Sequence, residues 1–535
     1  MAVKNFLEKY KKSIYIFSCV LLFLFSSIST IRSVRTHYKF ISHPYQLEYR
    51  EGGALNATQL FLEERNPFSI SEQPQNTYVY GFLYPLAVKP FAKAFGNTLF
   101  VHRSFVYFFI CATCMLVFYV LIKKKVNLVF SFAAMIILHQ SIINAANTPL
   151  ARPDGLGIFL FTLALIIPWR WKFSNSSLAA SIFLSMLGYM TKPYYILAVP
   201  VIAVYLFIFI NKRKSLFYSA ASVLIFFLAL GATAMIFPLY INNTLIAHIN
   251  DSSYIYNNVK DQIAEYTEVN VYIILILFLS ALFIFRDFLR KHYAESVGQV
   301  VEILKNYFME NSGLKKFKGE PVIQINYDLF FVFSLLFIFM LFILKLGGHP
   351  GNYHAAYLYH LASPLLILVT FLLLNKTNGK IFKSFSALLL IVTMNVEFES
   401  PKYDYGRFAG CFEQMDELIK KSGNVFNSPE NVSIMIHENK PVCNSGLSEY
   451  FSTKYAKTDV AIESSGLVNE RVEKFHKEID DRITRKEFDL IFLTKNYYNY
   501  FVNERLLKQN YILKETICAP FIYHELEVEA WIPKK

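Results

Sequence analysis

FVHRSFVYFFICATCMLVFYVLI (residues 100–122) runs straight into Lys123-Lys124-Lys125 and then into VNLVFSFAAMIILHQSIINA (residues 126–145). Two apolar runs of bilayer-crossing length, joined by a turn of three lysines, read as antiparallel transmembrane helices with a basic turn on one side. About 20 residues suffice for each crossing, and a helix is the natural form because lipid offers no partner to an unpaired backbone group. The rest of the chain repeats the theme. Further candidate spans lie at 13–31, 156–169, 178–190, 194–210, 216–239, 271–285, 329–345, 355–374 and 382–394, giving a bundle of about eleven spans. Composition agrees: 54% of residues are hydrophobic and 17% charged, with 52 Phe, 35 Tyr and a mean hydropathy of +0.34. A soluble protein of this size would expose too much apolar surface to stay dispersed.

The loops alternate between Lys/Arg-rich and Lys/Arg-poor, which sets an orientation because basic loops stay cytoplasmic. Lys4, Lys9, Lys11 and Lys12 put the N-terminus inside. Lys123 to Lys125, Arg170 with Lys172, Lys212-Arg213-Lys214, the loop 286–318 and Lys376 with Lys380 follow on that side. The opposite face carries 32–99, the turn at 147–154, Lys192, 240–270, 347–354 and the tail from about Glu397. The net charge of +13 therefore reports membrane orientation, and no spacing of nucleic-acid-reading motifs occurs. The first apolar run is too long for a cleaved signal core and lacks a small-residue cleavage site, so it is expected to be retained.

Two outer regions break the helix-loop rhythm. The first, 32–99, is rich in Tyr, Pro and Asn and too long for a connector. The second, 399–535, reads as a soluble α/β domain: β-type runs at 432–437 and 489–493, helical stretches at 412–422 and 469–483, and a closing strand at 526–532. The chain thus divides into a membrane domain, 1–398, and an extracytoplasmic domain, 399–535. The tail cysteines Cys411, Cys443 and Cys518 allow one oxidised pair, which spacing alone does not identify. An amphipathic run at 297–308, near Lys305, Lys315, Lys316 and Lys318, suits the anionic inner leaflet. No internal repeat of the transporter type is visible.

Ionisable residues collect on the outer face, where charge near lipid calls for a functional explanation. Glu48-Tyr49-Arg50-Glu51-Gly52-Gly53 offers two carboxylates three apart, suited to a general base, or else to a salt-bridged trio with Arg50. Arg152-Pro153-Asp154 puts a guanidinium at a helix start, where phosphate oxygens bind well, or where Arg and Asp simply pair. Lys192 is a second phosphate contact or a snorkelling side chain. Asn352, Tyr353 and His354, in the turn 347–354, offer hydrogen bonds to a sugar or phosphate head. His349, His354 and His360 match no compact zinc spacing.

These residues, in this order, resemble the GT-C superfamily of polytopic glycosyltransferases, in particular the bacterial family 39 and aminoarabinose-transferase-like branch. The likeness rests on Glu48-Tyr49-Arg50-Glu51-Gly52, Asn66-Pro67-Phe68, Tyr80-Gly81-Phe82-Leu83-Tyr84-Pro85, the His102-Arg103 entry to the second span, Arg152-Pro153-Asp154, Thr191-Lys192-Pro193 and Gly351-Asn352-Tyr353. It implies a mainly α GT-C-like bundle with an extracytoplasmic α/β tail. It also implies transfer of a sugar from a polyprenyl-phosphate donor to a lipid, glycan or protein acceptor in a bacterial inner membrane. Glu48 or Glu51 would act on the acceptor. Arg50, Tyr80, Tyr84, His102, Arg103, Arg152, Asp154, Lys192, Asn352, Tyr353 and His354 would bind substrate. Many members carry adjacent Asp-Glu where this chain has two separated glutamates, so the choice of base stays open, as does a divalent metal (Mg or Mn); no other cofactor is implied. Membrane lipids are expected partners and nucleic acid is not. The competing class is a transporter or flippase of lipid-linked glycan.

Overall fold

In the computed structural model the described residues are 2–144, 149–246, 255–292, 328–348, 355–396, 405–445, 465–495, 501–521 and 525–535. Among them the chain is mainly helical, with a small sheet near the C-terminus. The expected amphipathic run at 297–308 and the turn residues His349, Asn352, Tyr353 and His354 lie outside the described residues.

Helix α1 (Ala2–Ser42) is 41 residues long, twice what lipid requires, and continues well past the expected span at 13–31. Its far end delivers the start of α2 (Tyr49–Leu62), which is followed by α3 (Leu83–Phe95), α4 (Leu99–Lys123), α5 (Leu128–Asn144), α6 (Asp154–Arg170) and α7 (Asn175–Tyr189). A 3-10 turn at Pro193–Leu197 opens α8 (Ala198–Tyr205), and α9 (Lys212–Ile236) follows. Next comes α10 (Tyr256–Val269), in a region expected to be a loop, which meets α11 (Val271–His292) at an 80° bend. The bundle closes with α12 (Leu329–Leu341), α13 (Ser363–Lys376) and α14 (Lys380–Val396).

Among the described residues six helices are long and apolar enough to cross a membrane, counting the helical continuations of α8, α12 and α13 (Pro193–Ile210, Leu329–Leu346 and Leu358–Lys376), and a seventh crossing arises if the bent pair counts as one span. Helices α5, α6 and α14 have 17 residues each and α7 has 15, short of a full crossing by length. Expected loops at the basic end do gather in space. Lys124 pairs with Asp328 at 2.6 Å, Lys376 lies 3.9 Å from the same carboxylate, and the Trp169 indole N–H donates to it at 3.4 Å.

The tail holds α15 (Tyr405–Lys421), β1 (Val425–Phe426), α16 (Val432–His437), α17 (Ser465–Thr484), β2 (Leu490–Thr494), α18 (Glu504–Asn510), β3 (Tyr511–Pro520) and β4 (Glu525–Pro533). The sheet order is β1-β2-β4-β3, with β1 parallel to β2 and the other pairs antiparallel. Residues 432–437, expected as a strand, form a helix. A short apolar run has no period long enough to separate the two, and here a 3-10 turn at Pro429–Asn431 launches a helix whose Ser433 N–H donates to Gln46 at 2.7 Å. A disulfide joins Cys411 on α15 to Cys518 on β3, with Cα atoms 5.5 Å apart, while Cys443 is free.

The tail sits on the segment 45–77 that follows α1. Gln46 donates to the Pro429 carbonyl at 3.2 Å, Tyr45 stacks on Phe412 with centroids 5.3 Å apart, and Ser445 bonds the carbonyls of Gln75 and Thr77.

Candidate functional site

Glu48 caps α2, its carboxylate accepting from the Arg50 N–H at 3.1 Å, and Glu51 lies in the first turn. Both acids favour a helix start, where the backbone N–H groups carry partial positive charge. Their surroundings differ. Glu51 is fully buried and saturated: Arg103 grips it with Nε to Oε1 at 2.8 Å and Nη2 to Oε2 at 2.7 Å, and the Leu47 and Ala151 N–H groups donate at 2.7 and 2.8 Å. The remaining donors of Arg103 go to the carbonyls of Phe40, His43 and Tyr45. Neither side chain retains capacity for a substrate, so this pair clamps α1, α2, α4 and the α5–α6 turn together.

Tyr84 and His102 belong to the same supporting layer. The Tyr84 hydroxyl meets His102 Nδ1 at 3.1 Å, His102 Nε2 meets Asn97 Oδ1 at 2.9 Å, and both rings are fully buried.

Glu48 faces a different set. Arg152 Nη1 lies 3.9 Å from its Oε2, and Arg50 Nε lies 3.5 Å from Oε1 while donating to the Tyr49 hydroxyl. Arg152 is 5% exposed, and its Nε sits 3.4 Å from Asp154 Oδ2. Even so, Arg152 Nε, Arg152 Nη1 and Asp154 Oδ2 are buried without a hydrogen-bond partner among the described residues. Unsatisfied charged donors cost stability, and their persistence marks a position built for something besides packing.

Lys192 completes the group, donating to Asp154 Oδ1 at 2.5 Å and lying 4.8 Å from the centroid of the Tyr80 ring. Arg152 lies 5.9 Å from the same ring. Tyr80 is held there because the Gly81 N–H donates to the Thr191 carbonyl at 2.9 Å. A Cβ at Gly81 would fall 1.8 Å from the Met190 carbonyl oxygen, so only glycine permits this approach.

Thus Glu48, Arg50, Tyr80, Arg152, Asp154 and Lys192, drawn from distant parts of the sequence, form one cluster at helix ends. Sequence reasoning gave no role here to Tyr194, and it weighed His360 only as a zinc ligand. The Tyr194 hydroxyl donates to Asp154 Oδ1 at 3.2 Å and meets His360 Nδ1 at 3.0 Å. The available signal was Tyr194 beside Pro193, two positions after a lysine already singled out. Among the described residues no three His, Cys, Asp or Glu side chains converge as a metal-binding set. No family model matches the chain, and no curated protein matches it.

Proposed function

We propose that this chain is an inverting glycosyltransferase that moves a sugar from a polyprenyl-phosphate donor to a lipid, glycan or protein acceptor at the outer face of a bacterial inner membrane. The observation that carries the reading is Glu48 beside the buried, incompletely bonded Arg152, with Lys192 close by. A carboxylate is needed to take the acceptor proton, and cations are needed where the phosphate departs. The GT-C-like order of motifs supports the same reading. The outward orientation is supported by the Lys/Arg alternation and by a disulfide in the tail, since such bonds persist in oxidising compartments.

In this scheme Glu48 removes the proton from the acceptor hydroxyl as its oxygen attacks the anomeric carbon. The bond from that carbon to the phosphate oxygen breaks. The polyprenyl phosphate leaves with both electrons, and Arg152 and Lys192 balance the charge it gains. Asp154, Tyr194 and His360 hold Lys192 in place; Glu51 and Arg103 hold the helix that presents Glu48. Any divalent ion would draw on Glu48 or Asp154 together with substrate phosphate.

The test is transfer of labelled sugar from a panel of polyprenyl-phosphate donors by purified protein. Glu48→Gln is expected to lower turnover by about 10²–10⁴-fold in a protein that still folds, with a lower unfolding midpoint because Arg152 and Arg50 lose a charged neighbour. Wild-type turnover in Glu48→Gln would remove Glu48 as the base. Absence of transfer from every donor, with lipid-linked glycan crossing reconstituted vesicles, would favour the flippase.

A further inference from the structure

Helix α3 joins the Tyr80 loop to the start of α4. It begins two residues after Gly81 and ends at Gly96, whose left-handed backbone (φ 90°) turns the chain towards α4. Its 13 residues rise about 20 Å, too little to cross a bilayer, and they divide into distinct faces. Tyr84, Val88 and Ala92 are buried against the bundle. Phe91 and Phe95, one turn apart, are 47% and 74% exposed. Lys89 and Lys93 each precede one of these rings by two positions, which puts them on the other side of the helix. We propose that α3 lies in the outer interface of the membrane, with Phe91 and Phe95 among acyl chains and Lys89 and Lys93 on the phosphates of anionic phospholipid. The proposal rests on the bundle crossing a membrane and is independent of sugar transfer.

What covers the two rings follows from their continuity with α4. Phe91 meets Phe105 with centroids 5.6 Å apart and Phe105 meets Phe109 at 5.0 Å, both on a helix long and apolar enough to cross the membrane. Phe100 and Phe108 of that helix are exposed as well. The aromatic face of α3 therefore extends the lipid-facing side of α4. The opposite face calls for water and anions. Among the described residues no hydrogen bond or ion pair engages Lys89 or Lys93. Pro90, exposed between them, lacks the N–H that the Leu86 carbonyl would accept, and a wet face supplies the missing donor. Aromatic rings on one side and lysines on the other are what a helix lying at a headgroup boundary requires, and anionic lipid draws lysine to that level.

A nitroxide on Phe95→Cys tests the proposal in the full chain, with Cys19, Cys111, Cys114 and Cys443 replaced by alanine and the Cys411–Cys518 disulfide kept. The labelled protein is placed in lipid discs of phosphatidylcholine with or without phosphatidylglycerol. Oxygen, which concentrates among acyl chains, is expected to relax this label more than a water-soluble nickel chelate does, and a label on Lys93→Cys should show a lower oxygen-to-nickel ratio. Phosphatidylglycerol should raise the ratio at 95, and Lys89→Gln/Lys93→Gln should lose that rise. Stronger relaxation by nickel at 95 would put the face in water and overturn the proposal. Shielding from both agents would mean a protein covers the rings, and would overturn it equally. So would a phosphatidylglycerol response that is absent from the parent or unchanged in the double lysine variant. Should Phe95→Cys not fold, Phe91→Cys reads the same face with the same outcomes.

Discussion

At the scale of single residues, two glutamates one helical turn apart carry different duties, and spacing could not separate them. Glu51 is assigned by Arg103, which lies far along the chain and reaches it only in the folded bundle. Removing one partner of a buried pair strands the other charge. Glu51→Gln is therefore expected to cost about 3–5 kcal/mol of stability, read as a lower unfolding midpoint in detergent, with a Glu51→Gln/Arg103→Met double variant recovering part of it. A second acid, Glu430, is buried in the tail, accepting from the Thr494 hydroxyl at 2.9 Å. Burial pushes its carboxyl above the ordinary value of 4.5. An acid that is harder to ionise when folded favours the folded tail below the ordinary value, and that advantage is lost as pH rises through the folded value. Glu430→Gln should flatten this dependence, measured as exchange protection of Leu490–Thr494 against pH after correction for intrinsic rates. Protection with the same pH slope in both proteins would refute it. Arg152 and Lys192 were legible as cations at helix starts. Their convergence on Tyr80, and the contribution of Tyr194, required the fold.

At the scale of elements, long apolar helices were the most readable part, because their run lengths are dictated by lipid. Short ones were not. Helix α16 reads as a strand in sequence because four apolar residues in a run of six fit either form, and what decides them is docking against the start of α2 and Gln46 just before it. β1 escaped notice because it is two residues long and depends on β2, a partner strand distant in sequence. The loop around Tyr80 and the turn at Thr191 behave as one unit, held by the Gly81 N–H and by the Leu83 N–H, which donates to the Met190 carbonyl at 3.0 Å. Gly81→Ala should force these segments apart, costing about 1–3 kcal/mol and displacing Tyr80 from the two cations. The expected signature is a lower unfolding midpoint together with weakened donor binding; a variant with both unchanged would show that the close approach is dispensable.

At the scale of the whole molecule, the bundle has two polar ends of different character, one with Glu48, Arg152, Asp154 and Lys192, the other with Lys124, Asp328, Lys376 and Lys383. The alternation of basic loops made this polarity readable in advance, whereas the number of crossings depends on helices that fall near the length limit. In a cysteine-free background, a membrane-impermeant maleimide applied to intact cells should label Ser71→Cys, and label Lys172→Cys only after permeabilisation. The reverse pattern would invert the proposed orientation. The tail has a further consequence for how the protein is made. β4, the last strand in sequence, lies between β2 and β3, so its nine residues join two halves that do not otherwise touch as strands. A nascent tail emerging from the ribosome therefore holds a split sheet until Pro533 has been added, and a premature stop before Glu525 would leave two separate edges in place of a trimmed domain.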